Sequence, residues 1–274
     1  MPRTDLKATL PKVVEIARAA GEKTLEVRER AMRNVNYKED RSPVTEADLA
    51  AHRLIQDALA RLSELPVLSE ESADIPYETR ASWSEYWIVD PLDGTREFIE
   101  GRDDFTVNIG LVFENAPVLG VVHLPVPDAT YYAHRGGGAY KAERGGEARA
   151  IHARTTPGDK PVVAVSLSHA NKATQDFLDL LGPHELVRRG SIVKTCMVSE
   201  GAADLYARFG NTSEWDTAAG QCVLEEAGGR LTDMDGAVLR YNTKASLLNP
   251  PFMSAAPSAP DWQSILKRMP PWKK

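Results

Sequence analysis

Residues 85–112 read EYWIVDPLDGTREFIEGRDDFTVNIGLV, and the fold turns on them. Tyr86, Trp87, Ile88 and Val89 form an apolar run rich in strand-favouring residues, as a buried strand requires. The run stops at Asp90-Pro91-Leu92-Asp93-Gly94-Thr95, where Pro91 and Gly94 are turn residues, and a second strand follows. Asp90 and Asp93 thus stand at the end of a buried strand, on a bend able to aim both carboxylates at one point. Carboxylates brought together repel unless a cation lies between them. Hard oxygen ligands at one point favour Mg²⁺ or a similar ion. From these six residues alone an ordinary strand-ending turn is an equal reading, because Asp, Pro and Gly are common in such turns.

Upstream, Leu6 to Met32 carries apolar residues at helical spacing (Leu10, Val13, Val14, Ile16, Ala17, Ala20, Leu25, Val27), which predicts a long amphipathic helix with Gly21 as a soft point. Val35 to Ser42 is polar and reads as a mobile loop. Thr45, with Asp48 three residues later, fits a helix start, and the helix runs to about Leu62. Asp48 taken alone is a first-turn acid that suits the helix dipole. Leu65 to Leu68 reads as a short strand followed by the acidic pair Glu70-Glu71, which taken alone is a solvated loop. Downstream, Ala116 to His123 and Ala129 to His134 read as strands, with a hairpin turn around Asn115. This first half is α+β.

Composition shifts near Thr155 to Lys160, and strands and helices then alternate. Val162 to Val165 is a strand and Asn171 to Leu181 a helix. Ser191 to Glu200 begins another helix, Ala203 to Ala207 a strand, and Thr212 to Glu226 contains a long helix with Asp216 near its start and Gly228-Gly229 as its stop. This half is α/β, so residues 1–155 and 156–274 are expected to form two units, the first with most of the acids.

The chain has 274 residues, enough for a sizeable core, with 42% hydrophobic and 26% charged residues as in globular proteins. A formal net charge of −6 argues against a nucleic-acid or anionic-membrane binder, though not against a small anionic ligand held by a metal ion or a local basic cluster. Cys196 and Cys222, the only cysteines, have no metal-ligand spacing and no disulfide framework, so a reducing cytoplasm is the default. The start lacks a signal-peptide core and no apolar run reaches membrane-spanning length. A loose peripheral contact with the inner face of a membrane is compatible with this.

Five acids stand out by position: Asp48, Glu70, Asp90, Asp93 and Asp216. Taken together, the segments LSEES, WIVDPLDGT and WDTAAG resemble the lithium-sensitive, Mg²⁺-dependent phosphatase superfamily that includes inositol monophosphatase. The likeness spans roughly residues 40 to 250. It is closer to the 3'(2'),5'-bisphosphate nucleotidase branch, the CysQ type. There the central motif continues as Arg96-Glu97-Phe98, Ser166 to Lys172 is similar to an S/T-R-S-H segment, and Gly190-Ser191-Ile192-Val193-Lys194 precedes EGAADLYARFG. One departure is Leu167, where many relatives have Arg.

The resemblance implies a layered αβαβα sandwich of the inositol monophosphatase and fructose-1,6-bisphosphatase type. It also implies two or three Mg²⁺ per site, held by Glu70, Asp90, the carbonyl of Leu92, Asp93 and Asp216. The chemistry agrees. Divalent ions neutralise a phosphate ester, acidify a bound water and support the leaving oxygen. Thr95, relieved by Asp48, is the matched pair for orienting that water, with Glu70 beside it. Gly94 and Thr95 offer N–H groups as a phosphate seat. Ser166, His169, Gly190, Lys194 and Asp216 match positions that hold the nucleotide. The implied substrate is 3'-phosphoadenosine 5'-phosphate, giving AMP, with a role in sulfate assimilation. The implied assembly is a monomer or a homodimer.

Three rivals remain. An inositol monophosphatase or broad sugar-phosphate phosphatase would keep the acids and change the pocket. A haloacid-dehalogenase-type phosphatase fails on spacing, because position 91 is Pro and Asp90 lies three residues before Asp93. A catalytically dead nucleotide sensor would have lost an acid or Thr95, and none is lost. Asp93→Asn is expected to cut turnover by about two orders of magnitude or more with little loss of fold, since it weakens one metal ligand. Phosphate release and a melting curve on the same preparation check it, and near-wild-type turnover would remove the cation site.

Overall fold

A computed structural model describes residues 1–33, 43–167 and 171–271. The expected loop over 35–42 and His169 lie outside them. Helix α1 spans Leu6–Arg33, capped by Asp5, whose carboxylate accepts from the Ala8 N–H. Helix α2 spans Pro43–Leu62, starting two residues before Thr45. A proline suits a first turn, where its missing N–H would go unused anyway. Strand β1 (Val67–Ser69) leads into a 3₁₀ turn at Glu70–Ser72, and a short helix α3 (Tyr77–Arg80) interrupts the next loop.

Strand β2 covers Glu85–Asp93, so it runs three residues past Asp90. It can do so because the ladder slips: Asp90 faces Asn108 and Asp93 faces Thr106, leaving one extra residue on β2. The bulge takes Pro91, which has no N–H to give, out of the ladder. Helix α4 (Thr95–Ile99) follows, then β3 (Thr106–Phe113), β4 (Ala116–Leu124), β5 (Ala129–His134), β6 (Ala139–Glu143) and β7 (Arg149–Ile151). Glu114 and Asn115, both with positive φ, make the hairpin between β3 and β4. These seven strands form one sheet in chain order, with only β1 and β2 parallel.

The second half supplies β8 (Val162–Ser166), α5 (Lys172–Leu181), β9 (Glu185–Arg189), α6 (Val193–Ser199), β10 (Leu205–Arg208), α7 (Glu214–Glu226), β11 (Arg230–Asp233), β12 (Phe252–Ala255) and α8 (Trp262–Leu266). Its five-stranded sheet has the order β11-β12-β10-β8-β9. Strand β8 is parallel to β9 and β10, while β12 is antiparallel to β10 and β11.

Both faces of each sheet are covered. Trp87 and Val89 of β2 pack with Val13, Ala17, Ala51 and Ile55 under α1 and α2. Tyr86 and Ile88, on the opposite face by the two-residue period, pack on Ala218 of α7. That is why β2 reads as a continuous apolar run. Phe177 of α5 and Ile265 of α8 cover the outer face of the second sheet, and Val198 and Leu224 of α6 and α7 its inner face. The layers are therefore helix, sheet, helix, sheet, helix, as the resemblance implied.

Helix α7 lies unusually deep because glycine opposes it. Gly110 and Gly120 pair directly across β3 and β4. A Cβ on Gly120 would fall 2.2 Å from the Ala219 carbonyl oxygen. On its other side, a Cβ on Gly220 would meet Ile192, the residue that caps α6, at 2.6 Å. Gly21 proves to be a close approach rather than a soft point. Helix α1 is continuous, and a Cβ there would strike the His123 ring at 2.5 Å. Gly120→Ala should destabilise the protein by roughly 1–3 kcal/mol through overpacking against backbone that cannot yield. Denaturant midpoints measure this, and equal midpoints would mean that β4 and α7 stand further apart than described.

Candidate functional site

The acids converge where β1, β2 and α7 end or begin. Glu70 leaves β1 in the 3₁₀ turn and lies beside Asp90 and Trp215. Asp90 is 1% exposed, and its Oδ1 accepts from the Leu92 N–H at 3.1 Å. Asp93, past the bulge, has its Oδ2 held by the Ser191 hydroxyl and by the Ile192 N–H at 2.8 Å. Asp216 opens α7, and its Oδ2 accepts from the Ser213 N–H at 2.8 Å. Its helix-start role is therefore real, and it occupies one oxygen of two. Asp48 lies on the buried face of α2 beside Glu71, and its Oδ1 is buried without a partner among the described residues.

Burial, and then crowding, raise the proton affinities of Asp48, Glu70, Asp90 and Asp216. Burial, then the charges of Asp93, Glu70 and Asp216, push Asp90 well above the carboxylate range. Burial and the Asp93 charge lift Asp216 to about 8. Burial, then Glu71 and Glu70, lift Asp48 to about 8. Glu70 rises from burial and from Asp93. Such a set can be relieved by protons or by cations. Among the described residues no three acids, histidines or cysteines already stand in ligating geometry. The local N–H and O–H donors named above hold the carboxylate oxygens instead. The donor set, all oxygen, fits a hard divalent ion, and the orphaned Asp48 oxygen fits a site whose partner is not protein. Leu92 is buried at the bulge, with no partner residue on β3.

A cleft of about 290 Å³ opens beside these acids, and its wall includes Asp93, Gly94, Thr95, Ser166, Lys194 and Asp216. Gly94 is left-handed, with φ of 97°, which turns the chain from β2 into α4. Lys194, on α6, is 3% exposed. Its Nζ donates to the carbonyls of Ser191 and Arg189 and lies 5.0 Å from the Tyr206 ring centroid. Burial pulls its pKa down to about 8, against the opposing pull of Asp93. Gly190 stands beside the cleft rather than in its wall. Its N–H donates to Asp104, and a Cβ would meet Glu97 at 2.7 Å.

The structure adds residues that the sequence reading did not assign. Arg208 ends β10 in the cleft wall. Its Nη2 reaches the Asn211 carbonyl, and its Nε is buried without a partner among the described residues. Tyr206 stands two residues before it. Ser191, in a left-handed conformation with φ of 48°, clamps Asp93 across the two sheets. Glu71 and Trp215 contact the acids directly. The carboxyl end of a parallel strand is the signal that would have flagged Arg208.

Known proteins resemble this chain along most of its length. The inositol monophosphatase family model matches residues 5–264. The chain is 44% identical over 246 residues to the Escherichia coli protein named 3'(2'),5'-bisphosphate nucleotidase CysQ, covering 89% of this chain and 98% of that one. To the Haemophilus influenzae protein of the same name it is 40% identical over 237 residues, covering 85% and 88%. Among solved structures, CysQ from Bacteroides thetaiotaomicron, a bacterial member of the inositol monophosphatase family, superposes with a TM-score of 0.82 at 36% identity, covering 92% of this chain and 98% of that one. The Anabaena inositol monophosphatase, at 24% identity and a TM-score of 0.75 over 97% and 98% of the two chains, shares the fold.

Lys194 carries its charge below pH 8 and loses it above. Affinity for inorganic phosphate should therefore fall as pH rises through about 8, by about tenfold for one charge-assisted contact. Lys194→Met should bind phosphate weakly and show no step there. A step of equal size in that variant would assign the titration to another group.

Proposed function

The chain belongs to the inositol monophosphatase family, and we propose that within it the protein is a 3'(2'),5'-bisphosphate nucleotidase, removing the 3'-phosphate of 3'-phosphoadenosine 5'-phosphate to leave AMP. The family is one of metal-dependent phosphatases, and Mg²⁺, two or three ions per site, suits the oxygen donors here. One observation carries the reading. The cleft sets an acid cluster, suited to cations and so to one phosphate, beside the fixed positive charges of Lys194 and Arg208, suited to a second. A substrate with one phosphate, such as inositol 1-phosphate, would leave that second subsite unpaired.

Glu70, Asp90, Asp93, Asp216 and the Leu92 carbonyl would hold the ions, which supply charge neutralisation and an acidified water. Thr95 orients the attacking water through its hydroxyl, with Asp48 and Glu70 as the acids that relieve it of a proton. Gly94 and Thr95 seat the scissile phosphate through their N–H groups. Lys194 and Arg208 anchor the other phosphate, so that the ester is held against the acids. Ser166, His169 and Gly190 complete the nucleotide side. No helix among the described residues is long and apolar enough to cross a membrane. Two buried free thiols, Cys196 and Cys222, suit the cytoplasm. We treat 1–155 and 156–274 as two units, one sheet each, with the site at their seam.

Phosphate release should depend on added Mg²⁺ and should favour 3'-phosphoadenosine 5'-phosphate over inositol 1-phosphate by at least about tenfold in kcat/KM, the worth of one lost charged contact. The two substrates assayed side by side, with and without Mg²⁺, decide it. Preference for inositol 1-phosphate would keep the acids and discard the Lys194 and Arg208 subsite.

A further inference from the structure

The hydrogen bonds behind Asp93 admit one arrangement of protons. Asn108 on β3 is 1% exposed, and its Nδ2 is buried without a hydrogen-bond partner among the described residues. Its Oδ1 is 2.9 Å from the Thr106 hydroxyl, which is itself 2.7 Å from the Ser191 hydroxyl. Ser191 in turn meets Oδ2 of Asp93. Thr106 and Asn108 are two apart on β3 and share a face, opposite Asp93 and Asp90 of β2.

Each hydroxyl has a single proton. A carboxylate only accepts, so the Ser191 proton goes to Asp93. The contact between Ser191 and Thr106 then needs the Thr106 proton. Thr106 has nothing left to give Asn108, so the atom of Asn108 that faces it must be a donor. The two ends of an asparagine amide have the same shape, and only the network says which is which. The chain therefore runs one way: Asn108 Nδ2 donates to Thr106, Thr106 to Ser191, and Ser191 to Asp93. The Nδ2 donor then has an acceptor and no hydroxyl is asked for two protons, while the Asn108 carbonyl oxygen takes the position that has no partner among the described residues.

We infer that Asn108 and Thr106 are positioning residues that act through Ser191 to commit Oδ2 of Asp93 as an acceptor, leaving its other oxygen for a divalent cation. The inference rests on the reading of Asp93 as a cation ligand. Partners of this kind behind a ligand set its orientation and basicity. Asn108 is central in the first sheet, while Ser191 comes from the loop between β9 and α6. The relay thus ties the cation ligand to the second sheet. The Ile192 N–H, which also reaches Asp93, adds a second donor from the same loop.

The test is Mn²⁺ binding to the full chain without substrate, followed by the electron-paramagnetic-resonance signal of free Mn²⁺. Thr106→Val, which keeps shape and removes the hydroxyl, should weaken binding about tenfold or more, and so should Ser191→Ala. Thr106→Ser, which keeps the hydroxyl, should restore wild-type affinity. Because Thr106 acts through Ser191, the double variant should bind no more weakly than Ser191→Ala alone. A Thr106→Val protein with wild-type melting temperature and wild-type Mn²⁺ affinity overturns the relay. So does a double variant whose losses multiply. If Thr106→Val does not fold, Asn108→Leu takes its place in the cycle with the same expectations. A wild-type chain that binds no Mn²⁺ overturns the cation site itself.

Discussion

Like charges confined in a poorly polarisable space govern this molecule. Burial and the neighbouring charge of Asp93 raise the proton affinities of Glu70, Asp90 and Asp216, and Asp90 is almost wholly buried. A chain left to itself would move such groups apart into water. They stay because each sits on a rigid element: the ends of two paired strands and the first turn of a helix packed on both sides. The fold holds an unfavourable charge arrangement ready for a ligand that makes it favourable.

The stiffness comes from close backbone packing. The facing pair Gly110 and Gly120 lets α7 press its own backbone onto the first sheet, and Gly220 lets α6 press onto α7. Asp216 cannot drift from β2 unless that helix lifts. The bulge at Pro91 does the complementary work on the strand, carrying Asp93 past the point where a regular ladder would have turned it away. Charge and packing are therefore one problem solved together.

Much of this was legible in the sequence, and the illegible parts share causes. The β2 run, the Asp-Pro-x-Asp-Gly turn, and the long helices α1, α2 and α7 have strong periodicity or strong punctuation, so their residues announce them. Strand β9 reads ELVRR and hides because an exposed edge carries charge in place of alternation. Strand β12 hides because four residues hold too little pattern. Arg208 is signalled only by its place at the carboxyl end of β10, and Ser191 reaches the site by long-range folding. Lys194 is the instructive case. By itself it reads as a surface lysine, and only the packing of Tyr206 and the β9–α6 loop buries it.

The helix layer between the two sheets belongs to both. Helices α6 and α7 cover the inner face of the first sheet with residues that lie beyond position 190, far from the strands they cover. During synthesis the seven strands of that sheet emerge first, with one face covered by α1 and α2 and the other bare. They must wait for residues 214–226 before Tyr86, Ile88 and Tyr131 find their neighbours. A sheet with a naked apolar face is prone to stick to others of its kind. The interval between the last strand of the first sheet and the arrival of α7 is thus the most exposed moment in the life of the chain, and the glycines that later let the helix seat deeply leave that face flat until it comes.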